Sequence, residues 1–258
     1  MAGCTAANVA QRSALAGGFT SERLPTAYYL LQTFFRSARD PRTATLDVYV
    51  EGDGRAWLTF TQPSTDPTPA DPVGLKLAVA DASGAAVLYV ARPCQYVVAL
   101  DDGCNESVWT DERFSERVTA AVSEAIDEFV RRFGAERVRI VGYSGGGTVA
   151  ALVAARRSDV VQLITIAAPL DTDTWIRGHG ATPLTGSLNP VDFVARLAGI
   201  DQTHLVGADD TVVPAGVLRA YLRRLGAAPN ARLEVVPGFD HSCCWAARWP
   251  ELSARLFR

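Results

Sequence analysis

The chain has 258 residues, of which 48% are hydrophobic and 21% are charged, so it can bury a sizeable core and is not intrinsically disordered. Its net charge of -3 provides no basic field for nucleic acid or for an anionic membrane surface, so we expect no nucleic-acid partner. The sequence contains no apolar run of about 18 residues, the length that a membrane-spanning helix needs.

The N-terminus reads Met1-Ala2-Gly3-Cys4, and residues 5–18 show no periodic apolar face. The triplet before residue 5 resembles the end of a bacterial lipoprotein signal, although the charged and apolar regions of such a signal are absent. We therefore expect a lipid anchor at Cys4, a flexible tether over residues 1–25, and a location at the periplasmic face of the bacterial envelope. A cytoplasmic protein with an incidental cysteine is the alternative. Residues 26–258 are predicted to form one domain.

The other cysteines also suit an exported protein. Cys94 and Cys104 flank a turn-rich segment, a spacing that a disulfide can close. The adjacent pair Cys243-Cys244 could bond to each other, bond elsewhere or stay reduced. No CxxC motif or histidine cluster accompanies these cysteines, so we expect neither a metal nor a cofactor.

Strand and helix patterns alternate along most of the chain. The apolar patterns predict strands at 27–36, 46–51, 86–91, 137–141, 160–166, 203–206 and 232–236. Helices are predicted at 73–82, 115–133, 148–157, 215–225 and 246–257, and a further helix around 191–197 lies within an excursion over residues 171–202. This alternation predicts the α/β class, with a mainly parallel sheet covered by helices on both faces. Ligands of such sheets bind at the carboxyl ends of the strands.

A candidate nucleophile lies where a predicted strand meets a predicted helix. The run Gly142-Tyr143-Ser144-Gly145-Gly146 has the form G-x-S-x-G, whose sharp turn exposes the serine Oγ. The N–H of Gly145 would lie at a helix N-terminus, where partial positive charge stabilises an oxyanion. A glycine-rich phosphate loop or a plain tight turn is the alternative.

A serine nucleophile needs a base, and His241 directly follows the last predicted strand. His204 is expected to be structural because it lies at the start of a strand. His179 falls in the glycine-rich part of the excursion and is expected at the surface or near the substrate.

The acid that would orient the histidine follows the penultimate strand, where Asp209 and Asp210 are adjacent. Asp171, which follows the strand at 160–166, is the third candidate. The order serine, acid, histidine at three strand ends resembles the α/β-hydrolase superfamily. In that superfamily the acid commonly precedes one residue and then a Val/Ile-Val/Ile-Pro step, a pattern that matches Asp210 before 211–214.

The resemblance also implies a second oxyanion N–H from the loop after an early strand. Most members have His-Gly there, whereas this chain has Glu51-Gly-Asp-Gly-Arg55, so the donor would be Gly54 or Arg55. The carboxylate of Asp53 would disfavour an oxyanion unless Arg55 or Arg92 paired with it. This loop variant and the Ala-Gly-Cys start together resemble a group of bacterial envelope hydrolases.

The resemblance implies a serine hydrolase that cleaves an ester or related acyl bond of a small molecule through an acyl-enzyme. Tyr143, Asp53 and Trp175 are expected to face the substrate. The excursion over 171–202 is short for the apolar lid of a lipase. The alternatives are a non-catalytic envelope lipoprotein on the same fold, or a peptidase or thioesterase with the same machinery.

Overall fold

The computed structural model describes residues 6–40, 42–59 and 61–257, and within them the chain forms an eight-stranded sheet with helices on both faces. The strands are β1 (Thr20–Pro25), β2 (Leu30–Arg36), β3 (Thr45–Val50), β4 (Ala86–Val90), β5 (Arg137–Tyr143), β6 (Val160–Ile166), β7 (Asp201–Gly207) and β8 (Ala231–Val236). The helices are α1 (Ala6–Ala16), α2 (Val73–Val79), α3 (Glu116–Phe133), α4 (Gly145–Ala154), α5 (Thr172–His179), α6 (Val194–Leu197), α7 (Ala215–Leu225) and α8 (Trp245–Leu256).

The order of the strands in the sheet is β1-β2-β4-β3-β5-β6-β7-β8. The pairs β1/β2 and β2/β4 are antiparallel, and the pairs from β4/β3 to β7/β8 are all parallel. The predicted mainly parallel sheet is therefore confirmed. Its parallel part brings the carboxyl ends of β3, β4, β5, β6, β7 and β8 to the same edge.

Strand β3 shows how the sheet separates two apolar layers. Leu46, Val48 and Val50 belong to one buried cluster with side chains of α3, α4 and α7. Tyr49 points into the other cluster, with side chains of α1, α2 and α8. Since successive side chains of a strand point to opposite faces, a strand buried on both faces is mostly apolar.

The ends of α3 follow the capping signals in the sequence. The Ser115 hydroxyl accepts the N–H of Val118, and Gly134 adopts the left-handed conformation after the last turn. Helix α4 begins at Gly145, earlier than the Thr148 that its apolar pattern indicates, because glycines carry no apolar signal.

The predicted tether over residues 1–25 is wrong for its described part, 6–25, which forms α1 and β1. Ala10 and Ala14 lie one helical turn apart and are fully buried. Alanine side chains let α1 pack closely against the fold, but so narrow a stripe gives little amphipathic signal. Cys4 lies outside the described residues, so the lipid anchor stays a prediction. No helix in the described ranges is long and apolar enough to cross a membrane.

The excursion over 171–202 contains a helix, α5, that the apolar pattern does not indicate. The start of α5 could have been predicted from Asp171, a typical N-cap residue, whose carboxylate accepts the N–H of Thr174. The end of α5 could have been predicted from Gly180, because glycine commonly ends a helix in the left-handed conformation that it adopts here.

Candidate active site

Ser144 occupies a tight turn between β5 and α4. Its backbone has φ 50° and ψ -128°, a conformation that an L-residue adopts only when its surroundings enforce it. The Ser144 N–H donates to the carbonyl of Ile166 at 2.8 Å, which ties the turn to β6. A Cβ at Gly142 would collide with Gly147, so the strand can pass this close to the helix only with glycine there. The turn raises the serine above the edge of the sheet, as G-x-S-x-G predicts.

The structure brings Ser144, His241 and Asp210 into one hydrogen-bonded chain. Ser144 Oγ lies 3.0 Å from His241 Nε2, and His241 Nδ1 lies 2.9 Å from Asp210 Oδ2. A carboxylate can only accept, so Nδ1 carries the imidazole proton while Asp210 is ionised. Nε2 of the neutral ring is then left to accept the serine O–H. This is the tautomer that a general base needs.

The loop after β7 distinguishes the candidate acids. The Oδ1 of Asp210 accepts the N–H groups of Val212 and Val213 at 2.9 and 2.8 Å, while its Oδ2 faces the histidine. Asp209 is exposed, and its backbone N–H donates to Phe239. The carboxylate of Asp171 caps α5. Of the three candidates, Asp210 is the one hydrogen-bonded to His241.

The other two histidines lie elsewhere. His204 is fully buried in β7, and its Nδ1 lies 2.9 Å from the Thr165 hydroxyl. Burial lowers the pKa of His204 from 6.5 to about 3, so this ring is neutral at physiological pH. His179 ends α5, with Nε2 2.8 Å from the carbonyl of Val212.

Tyr143, which was expected to face the substrate, braces the backbone of the histidine loop. Its hydroxyl donates to the carbonyl of His241 at 3.1 Å, and the indole N–H of Trp245 donates to the same carbonyl. Burial raises the pKa of Tyr143, and the nearby carboxylate of Glu51 raises it further. The hydroxyl therefore stays protonated and can keep donating. Cys243 and Cys244, which follow this loop, are disulfide-bonded to each other.

Glu51 organises the loop after β3. This buried carboxylate accepts two backbone N–H groups from α2, those of Gly74 and Leu75, together with the N–H of Gly52 and the hydroxyl of Tyr89. Burial raises the pKa of Glu51 although these four donors oppose that effect. The loop is thereby fixed relative to α2.

The same loop limits which N–H groups can serve an oxyanion. Gly52 donates to Glu51, and Arg55 donates to the carbonyl of Pro67 at 3.0 Å. Because the backbone N–H of Arg55 already donates to Pro67, Arg55 is excluded as the second oxyanion donor. The N–H groups of Asp53 and Gly54 make no hydrogen bond to any described residue.

Asp53 lies against the nucleophile turn, between two guanidinium groups. Its oxygens lie 2.9 Å from nitrogens of Arg92 and Arg113, and a Cβ at Gly145 would collide with the carboxylate. Burial raises the pKa of Asp53, but Arg113 and Arg92 lower it more, so the net pKa lies below the ordinary value of 3.8. Arg92 is one of the two partners considered from the sequence, while the other, Arg55, is exposed. The cluster carries one net positive charge beside Ser144.

The predicted disulfide joins Cys94 to Cys104, with their Cα atoms 5.6 Å apart. It constrains the loop after β4, which contains Arg92 and Gln95. The Gln95 amide donates to the carbonyl of Gly52 at 2.9 Å. The disulfide loop therefore supports the loop that carries Asp53.

Trp175, also expected to face the substrate, donates its indole N–H to the carbonyl of Val212 at 2.8 Å. Sequence reasoning gave no role to Glu51 or Arg113. Glu51 was readable as a carboxylate at a strand end. Arg113 carried no such signal, because it precedes α3 and meets Asp53 only through the fold.

The chain matches no protein-family profile and no curated protein sequence. Its structure is similar to Est1E from Butyrivibrio proteoclasticus, with a TM-score of 0.65 and 13% identity, covering 92% of this chain and 96% of that one. It is also similar to the esterase Pf2001 from Pyrococcus furiosus, with a TM-score of 0.63 and 14% identity, covering 94% and 92% of the two chains. For the acylaminoacyl peptidase of Pyrococcus horikoshii the TM-score is 0.63 and the identity 12%, covering 93% of this chain and 40% of the peptidase. The chain therefore has the α/β-hydrolase fold.

Proposed function

We propose that this protein is a serine hydrolase that cleaves an ester or related acyl bond of a small molecule through an acyl-enzyme intermediate. The observation that carries the proposal is the hydrogen-bonded chain from Ser144 through His241 to Asp210, placed at the N-terminus of α4. A nucleophile, a base within hydrogen-bond reach, and an acid that orients the base are the parts that acyl transfer requires.

In the first half-reaction, Ser144 Oγ attacks the substrate carbonyl while His241 Nε2 takes the hydroxyl proton. The imidazolium that forms is stabilised by the carboxylate of Asp210, which keeps its negative charge. When the tetrahedral intermediate collapses, Nε2 gives the proton to the leaving alcohol and the acyl group stays on Ser144. Water then attacks the acyl-enzyme with His241 again as the base, which releases the acid and restores the serine.

The developing oxyanion would be stabilised by the N–H of Gly145 at the start of α4 and by the N–H groups of Asp53 and Gly54, which donate to no described residue. The carboxylate of Asp53 would oppose this negative charge if it were alone. Its two guanidinium partners, Arg92 and Arg113, give this three-residue cluster a net positive charge, so the cluster supports an oxyanion instead of repelling it.

Peptide or thioester hydrolysis is the second candidate, because the same residues would perform it. The similarity to the acylaminoacyl peptidase favours testing it, and the similarity to the esterase Pf2001 favours the ester. A panel of matched ester, thioester and amide substrates with a common acyl group would rank the three reactions by kcat/KM.

The test of the proposal combines a p-nitrophenyl ester series of increasing acyl length with fluorophosphonate labelling. Ser144→Ala should abolish labelling, and both it and His241→Ala should lower turnover by about 10⁴-fold or more without unfolding the protein. Asp210→Asn should be severe and Asp209→Asn, its matched control, mild. A wild-type protein that is neither labelled at Ser144 nor active on any substrate would favour the non-catalytic alternative.

The lipid anchor at Cys4 is a separate proposal that rests on the sequence alone. Because α1 begins at Ala6, an anchor there would hold the folded domain close to the bilayer, without the long tether first expected. Growth with a radiolabelled fatty acid should label the full-length native gene product, and Cys4→Ser should abolish the label. An unlabelled native product would remove the proposal.

A further inference from the structure

One peptide unit, between Val212 and Val213, is hydrogen-bonded at both ends. Its N–H donates to Asp210 Oδ1 at 2.8 Å, on the side of the acid. Its carbonyl accepts two hydrogen bonds at 2.8 Å on the opposite side, one from the Trp175 indole and one at His179 Nε2. A carbonyl only accepts, so His179 must carry its proton on Nε2. Helix α5 is thereby connected to the acid through a single peptide plane.

The helix that provides these two donors is itself fixed. The Asp171 carboxylate accepts both the N–H and the hydroxyl of Thr174, and the N–H of Thr172 donates to the buried Asn189. Trp175 and His179 are one helical turn apart, with ring centroids 5.6 Å apart in an edge-to-face arrangement. Two donors on one helix face therefore aim at the same carbonyl.

We propose that Trp175 and His179 are positioning residues that set the direction of the Asp210 carboxylate toward His241, a role that rests on the proposed serine hydrolase function. Because a peptide unit is planar, fixing its carbonyl also fixes the direction of its N–H. That N–H holds Oδ1, which leaves Oδ2 aimed at His241 Nδ1. Neither residue touches the reacting atoms, and each acts through the Val212 carbonyl.

This role differs measurably from substrate binding, which was the expectation for Trp175. A side chain that contacts the acyl group changes KM by an amount that depends on acyl length. A side chain that positions the acid lowers kcat by the same factor for every ester, because the acid acts on the proton transfer and not on the substrate.

The experiment compares Trp175→Phe, which keeps an aromatic ring but lacks the N–H, with His179→Phe and with the double variant. His179→Gln restores an N–H donor, and Asp173→Asn alters an exposed residue of the same helix as a control. Each single phenylalanine variant should lower kcat by roughly threefold and the double variant by roughly tenfold, in keeping with the modest net worth of one hydrogen bond. KM should stay constant across the ester series. His179→Gln should recover most of the loss, and Asp173→Asn should match the wild type.

A second readout does not depend on catalysis. The Nδ1 proton of His241, held by Asp210, should give a low-field proton resonance in the wild type and in Asp173→Asn. That signal should weaken in the double variant as the proton exchanges faster with water, while circular dichroism stays unchanged. A folded double variant with wild-type kcat and an unchanged resonance would overturn the proposal, as would a change in KM that grows with acyl length. Absence of all hydrolase activity in the wild type would instead refute the proposed function, and the resonance would still test whether Trp175 and His179 position the Asp210 carboxylate.

Discussion

Replacing Asp53 with asparagine would remove the negative charge that lies between two buried guanidinium groups. The side chains of Arg92 and Arg113 are 5% and 8% exposed, and each lies 2.9 Å from its own oxygen of Asp53. Breaking a buried ion pair by removing one partner costs about 3–5 kcal/mol, because the remaining charge stays desolvated. The carboxylate is itself 21% exposed, so we expect the lower end of that range, about 3 kcal/mol.

Urea denaturation at pH 7, followed by circular dichroism, measures this loss as a lower midpoint at unchanged slope. Asp102→Asn is the matched control, because Asp102 is an exposed carboxylate and its replacement should change the free energy of unfolding by no more than about 0.5 kcal/mol. If Asp53→Asn lowers the free energy of unfolding by less than about 1 kcal/mol, the buried guanidinium groups do not need this carboxylate as a partner, and the expectation is wrong.

The pH dependence gives a second check with a definite sign. The folded-state pKa of Asp53 lies below the ordinary 3.8, since Arg113 and Arg92 together outweigh the effect of burial. A lowered acid pKa stabilises the fold above the unfolded-state pKa, and this stabilisation is lost as the pH falls through the folded-state pKa. The difference in free energy of unfolding between the wild type and Asp53→Asn should therefore be constant from about pH 8 to pH 5, and it should become smaller below about pH 4.

Two further predictions concern stability. Burial lowers the pKa of His204 to about 3. Below pH 6.5 the unfolded chain therefore binds a proton at this histidine that the folded protein does not bind, so the free energy of unfolding falls as the pH falls. His204→Leu should reduce the difference in unfolding free energy between pH 7 and pH 4 by about 3 kcal/mol, and an unchanged difference would mean that another group controls acid sensitivity. Replacing Cys94 and Cys104 together with alanine should cost roughly 2–3 kcal/mol in urea denaturation at pH 7, whereas an equal midpoint with and without the disulfide would contradict its stabilising role.

Local signals predicted most of the fold correctly. The helix α7 was predicted with its observed bounds, and α3 was delimited by its serine cap and its terminal glycine. The bounds of such helices can be predicted because the cap residues and the apolar residues that define them are close together in the sequence. Helix α1 was missed because its buried face consists of alanines, and α5 because its predictors are caps and not an apolar stripe.

The candidate site divides along the same line. Ser144, Asp210 and His241 could be chosen from the sequence, because each lies in the turn or loop after a parallel strand and such strand ends share one edge of the sheet. The partners of Asp53 could be chosen only in part. Arg92 also follows a strand, whereas Arg113 lies sixty residues from Asp53 in a loop before α3 and reaches it only after the helices pack on the sheet.

Three carboxylates near the nucleophile show how the fold assigns different roles to one functional group. Glu51 receives N–H and hydroxyl donors only, which fixes a loop and leaves the group buried. Asp53 receives two guanidinium groups, so its charge is more than neutralised beside the proposed oxyanion donors. Asp210 receives two N–H donors on one oxygen and the imidazole on the other, so its charge is directed at His241. An imidazolium formed during the proposed acyl transfer would thus face a carboxylate whose charge no cation in the described chain has already taken, and this is why Asp210 suits the proposed role of acid while Asp53 does not.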